Sequence, residues 1–120
     1  MSDITTKGLL GKLMEMIISD VKLAVRNFYA TNTRSLNLVR YLFETTNDKI
    51  KTLTPVLEAL CIPNLYGIED ITDAVFGRDS DEFFVLQEFL YRMEYIKKWN
   101  TNDMWNGFQG NERLKRICCG

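Results

Sequence analysis

Apolar residues recur along this chain at spacings of three and four, the period of a helical face, and no run alternates long enough to nominate a strand. Leu10, Leu13, Ile17, Val21, Ala24 and Phe28 trace one face of a first helix from Lys7 to about Tyr29. Lys12, Glu15, Asp20, Lys22, Arg26 and Asn27 take its other faces. Residues 1–6 are polar and are expected to fray. Gly8 and Gly11 each lower helix propensity by about 1 kcal/mol relative to alanine, which moves the expected ordered start towards Lys12. After the polar break Thr31-Asn32-Thr33, Ser35 offers an N-cap to a second helix through Leu36, Val39, Leu42 and Phe43, ending near Thr45-Thr46-Asn47.

Ile50, Leu53, Leu57 and Leu60 align as a third helical face, but Pro55 falls inside it. A proline in mid-helix costs about 3 kcal/mol. The expected solution is Thr54 as N-cap with Pro55 at the first helical position, where its missing N–H does no harm. Residues 48–53 then form a separate turn or the tail of the second helix. Ile62-Pro63-Asn64 stops the third.

A short helix follows from Ile68 to Phe76, with Ile68, Ile71 and Val75 inward, Glu69, Asp70 and Asp73 outward, and Gly77 just past its end. The stretch Ser80 to Trp99 is the most apolar: Ser80 suits the N-cap, and Asp81 and Glu82 suit the positive end of the dipole. Phe83, Leu86, Leu90, Met93 and Ile96 form one face, and Phe84, Val85 and Phe89 widen it. Lys97 and Lys98 close it. A helix apolar most of the way round belongs inside a bundle, so this one is expected at the centre. Thr101-Asn102-Asp103 starts a further segment through Met104, Trp105 and Phe108, limited to about two turns by Gly107 and Gly110. A last helix, Asn111 to Cys118, aligns Leu114, Ile117 and Cys118. The fold class is therefore all-α: one compact domain over residues 1–120, five to seven helices around a central one at 80–99.

Composition adds exclusions. With 120 residues, 46% hydrophobic and 26% charged, the chain has material for a core without metal or disulfide support. It has no histidine, which removes the commonest general base and metal ligand. Its three cysteines, Cys61, Cys118 and Cys119, are an odd number with two adjacent, which points to a reducing, cytoplasmic setting. Lys12 and Glu15 interrupt the apolar run of residues 9–18, so it reads as neither a leader nor a membrane span.

The net charge of −1 is unevenly laid out: residues 1–60 carry +2, residues 66–90 carry −6 and residues 91–120 carry +3. The acidic block holds Glu69, Asp70, Asp73, Asp79, Asp81 and Glu82. The run Asp79-Ser80-Asp81-Glu82 does not fit a calcium loop, since the spacing, the internal glycine and the distal glutamate are missing. These acids read as a solvated face or as a patch for a basic partner. The residues expected to bind that partner are Glu69, Asp70, Asp73, Asp79, Tyr66 and Trp105. No serine has a histidine partner and no glycine-rich phosphate loop exists, so no catalytic, cofactor or metal residue is assigned.

Two other readings stay open. Lys97, Lys98, Trp99, Trp105, Arg113, Lys115 and Arg116 interleave cations with aromatics, as a nucleic-acid surface does, although the net charge supplies little long-range attraction. The tail places Cys118 and Cys119 beside Arg113, Lys115 and Arg116, which suits S-acylation at a membrane surface. Self-association is compatible with either.

The run Leu65-Tyr66-Gly67-Ile68-Glu69-Asp70-Ile71, followed by an apolar helix ending in Trp99, is similar to the middle of the poxviral Bcl-2-like proteins. That resemblance spans residues 65–99, lacks the NWGR-type segment of cellular Bcl-2 proteins and carries no functional residue over. It implies an all-α fold and an intracellular antagonist of host signalling. The expectation is a non-enzymatic protein-binding module without cofactor, compatible with a viral or phage accessory protein that meets a host factor.

Overall fold

The computed structural model describes residues 2–30, 37–61, 65–95 and 110–120, with side chains described from residue 8 in the first span and up to residue 93 in the third. The described residues are all-α and hold five helices: α1 (Ser2–Ala30), α2 (Asn37–Leu60), α3 (Ile68–Phe76), α4 (Asp81–Tyr95) and α5 (Glu112–Cys119). The expected N-cap Ser35, the expected helix end at Lys97 and Lys98, and the segment containing Trp105 lie outside the described residues.

Helix α1 begins at Ser2, so the expected helix start near Lys12 is corrected. Once packing has nucleated the helix, each further residue adds a hydrogen bond for little cost, and two glycines do not stop it. Its buried surface is wider than the single stripe read from the sequence. Met14, Ile18 and Val25 join Ile17, Val21, Ala24 and Phe28 in the core, because α1 packs against each of the other four described helices. Helix α4 does the same, burying Val85, Leu86 and Phe89 completely, while Leu90 and Met93 are half-buried. Phe89 meets Phe43 of α2 at a ring separation of 5.2 Å.

The largest correction concerns residues 37–60, where two expected helices are one, with Pro55 inside it. Val39, Phe43, Thr46, Ile50 and Leu57 are buried, and Leu53 is half-buried against them. The steps between these positions are four, three, four, three and four, so one stripe runs unbroken through Thr45-Thr46-Asn47 and past the proline. Thr46 fills the position at which the apolar pattern lapses. Pro55 and Lys51, whose carbonyl the proline cannot serve, are both exposed, so solvent can take that carbonyl. The Thr54 hydroxyl is not a cap: it donates to the carbonyl of Ile50 at 2.6 Å within the helix.

The remaining elements follow local chemistry. Gly67 (φ 85°) leads into α3 and Gly77 (φ 97°) ends it, both in the left-handed region that glycine alone enters freely. Ser80 caps α4: its Oγ accepts from the Phe83 N–H at 3.1 Å and donates to the Gly77 carbonyl at 2.6 Å. Asn111 caps α5 by accepting from the Leu114 N–H at 3.0 Å. The Arg26 Nε donates to the Cys118 carbonyl at 2.9 Å, tying the negative end of α5 to α1.

Candidate functional site

The acidic residues form one site because a tight turn folds α3 back onto α4. Ile68, Ile71 and Thr72 bury one side of α3, which leaves Glu69, Asp70 and Asp73 on the other. The Gly77 N–H donates to the Asp73 carbonyl at 2.7 Å, and the Ser80 N–H to the Gly77 carbonyl at 3.2 Å. This closes the connection within four residues and holds Asp79 beside the acids of α3. Glu69, Asp70, Asp73 and Asp79 line an open cleft of about 540 Å³, whose floor includes Phe83 and Phe84.

Two cations enter this cleft, and sequence reading assigned neither to it. Arg78 reaches Asp73 at 3.1 Å across the turn and is three-quarters exposed. Arg113 arrives from α5, with its guanidinium 4.1 Å above the Phe84 ring and 3.6 Å from Asp81. Four carboxylates thus face two guanidinium groups, leaving the cleft acidic. Arg113 had a place in the basic-aromatic surface expected for nucleic acid; it sits instead among carboxylates. Its periodicity on α5, opposite the buried Leu114, was legible, but its meeting with Phe84 depends on how α5 docks.

The other expected site residues are not gathered here. Tyr66 is 70% exposed on the approach to α3 and does not line the cleft. Trp105 lies outside the described residues, as do Lys97, Lys98 and Trp99. Lys115 and Arg116 are exposed on α5. Among the described residues, no three carboxylate or thiol side chains converge closely enough to hold a metal ion.

The two terminal cysteines differ in access. Cys118 is buried, and burial, with Cys119 adding to it, pushes its thiol up to about 11 against the pull of Lys22 and Arg26. Cys61 is also buried and raised, first by burial and then by Glu58, and its Sγ donates to the Leu57 carbonyl at 3.1 Å. Cys119 is exposed. The thiolate is the reactive form, so a maleimide at neutral pH is expected to label Cys119 in the folded protein and to reach Cys61 and Cys118 only after unfolding. Peptide mass spectrometry checks this, and equal labelling of Cys118 and Cys119 would contradict the burial. As candidate acylation sites, only Cys119 is accessible in this fold.

No described helix is long and apolar enough to cross a membrane. No protein-family model, curated protein or solved structure matches this chain.

Proposed function

We propose that this chain is a non-enzymatic binding module whose acidic cleft takes a basic segment of another protein, in an intracellular setting. The observation that carries the reading is the placement of Arg113. A guanidinium from a separate helix sits over the Phe84 ring and beside Asp81, at the edge of a cleft lined by four further carboxylates. An arginine-bearing partner would find the same chemistry there: ring faces for the guanidinium plane and carboxylates for its N–H groups. Their crowding on α3 and the following turn does nothing for the core, since like charges at this range repel. The reading as a viral or phage accessory protein aimed at a host factor rests on the Leu65–Ile71 resemblance. The nucleic-acid reading loses Arg113 to the acidic cleft.

An immobilised arginine-rich peptide, alternating Arg and Leu, serves as the probe. In low salt it is expected to associate with the wild-type protein roughly tenfold faster than with the double variant Asp70→Asn, Asp73→Asn, with similar off-rates. Raising salt is expected to erase the difference. Equal association rates in low salt would leave the cleft a solvated surface.

A further inference from the structure

Arg113 covers the ring face of the cleft from within the chain. Its guanidinium is 4.1 Å from the centre of the Phe84 ring and 3.6 Å from Asp81, both in the first turn of α4. The helix that carries it is fixed independently of that contact. Leu114 and Cys118 are buried in the core, the Arg26 Nε donates to the Cys118 carbonyl at 2.9 Å, and the Tyr29 hydroxyl donates to the Asn111 carbonyl at 3.4 Å. Both ends of α5 are thus held by α1, while the Arg113 side chain reaches across to α4. That side chain is 44% exposed and the Asp81 side chain 62%. Exposed side chains change rotamer in picoseconds to nanoseconds, so Arg113 is able to leave Phe84 with α5 still docked.

We infer, on the reading of the cleft as a site for a basic segment, that Phe84 and Asp81 form an arginine subsite which Arg113 holds closed. A partner's arginine enters it by exchange with Arg113. A guanidinium over an exposed ring is worth roughly two- to fivefold in an equilibrium, and an exposed ion pair a similar factor or less. Together they keep Arg113 seated about nine-tenths of the time, which lowers the apparent affinity for an incoming arginine about tenfold. The internal occupant thereby sets a threshold. A lone guanidinium makes no more contacts than Arg113 makes already, whereas a segment that also meets Glu69, Asp70 and Asp73 gains enough to displace it. Arg78, the second cation of the cleft, pairs with Asp73 across the turn. Its loss changes the charge of the cleft as much as the loss of Arg113, without uncovering Phe84.

The immobilised peptide of alternating Arg and Leu separates occupation from charge. Arg113→Gln is expected to bind it about tenfold more tightly than the wild type, and Arg78→Gln no more than about threefold more tightly. Arg113→Lys keeps the charge but lacks the planar fork, and is expected to bind several-fold more tightly. Nuclear magnetic resonance reads the seat without any partner. The ring current of Phe84 is expected to hold the Arg113 side-chain protons upfield of their position in a Phe84→Leu variant, and saturating peptide to return the wild-type signals to that position. Arg113 signals unmoved by saturating peptide would overturn the exchange. So would Arg113→Lys binding like the wild type while Arg113→Gln and Arg78→Gln gain equally, since charge alone then accounts for the affinity. Either result leaves the cleft a site for basic segments. Peptide bound by neither the wild type nor any of the three position-113 and position-78 variants would overturn that reading, and the exchange with it.

Discussion

Truncation of Phe89 to alanine is expected to lower the unfolding free energy by about 3–5 kcal/mol, and Leu86→Ala by about 2–5 kcal/mol. Both side chains are fully buried on the α4 face that packs into the core. Phe89 also loses its tilted contact with Phe43, through which α4 grips α2. The range reflects how far the neighbours can close the cavity, and a ring between two long helices leaves them little freedom to do so. Lys51→Ala, on the exposed side of α2, is expected within about 0.5 kcal/mol of the wild type. Urea denaturation gives the comparison directly. Equal midpoints for Phe89→Ala, Leu86→Ala and Lys51→Ala would mean that α4 does not hold the core together.

Pro55→Ala is expected to act in the opposite direction, raising stability by about 2 kcal/mol. The alanine restores an N–H donor to the Lys51 carbonyl and removes the ring's clash with it, worth about 3 kcal/mol in a helix interior. It also frees the unfolded chain, which returns about 0.4–1 kcal/mol to the other side. Position 55 is exposed, so the change leaves no cavity. The same measurement has a clear contrary outcome. If Pro55→Ala destabilises, the proline sits at a helix start, where its fixed φ helps, and residues 37–60 are two helices after all.

The acidic cleft shows how far local chemistry carries. Glu69, Asp70, Asp73 and Asp79 lie within eleven positions of chain, and the periodicity of Ile68 and Ile71 already turns three of them outward. Two glycines and a serine cap then fold that short stretch into a tight turn. Everything needed to gather the carboxylates is therefore close in sequence. Arg113 is not: it reaches Phe84 only because Leu114 and Cys118 dock α5 into the core, and no local pattern specifies that docking. Tyr66, expected to share the site, stays apart because its outward direction is set by the chain's path before Gly67 rather than by a helical period.

Residues 37–60 mark the same boundary from the other side. Propensity rules broke the helix at Thr45-Thr46-Asn47 and again at Pro55, since each residue was weighed by its own preference. The structure keeps one helix, because a stripe in constant phase can bury itself against α1 only if the backbone stays helical throughout. Burial of five side chains along that stripe outweighs a few weak formers and one absent hydrogen bond.

What the sequence determined by itself was thus the all-α class, the short helix 68–76 with its glycine and serine boundaries, the start of α4, the α5 helix, and the grouping of acids beside them. These depend on hydrogen bonds and side-chain directions within a few residues. The tertiary structure alone decided the continuity of α2, the breadth of the α1 core surface, the entry of Arg113 into the cleft, and the burial of Cys118 but not Cys119. Each of those turns on which apolar faces meet across distant parts of the chain, a free-energy balance that no local window contains.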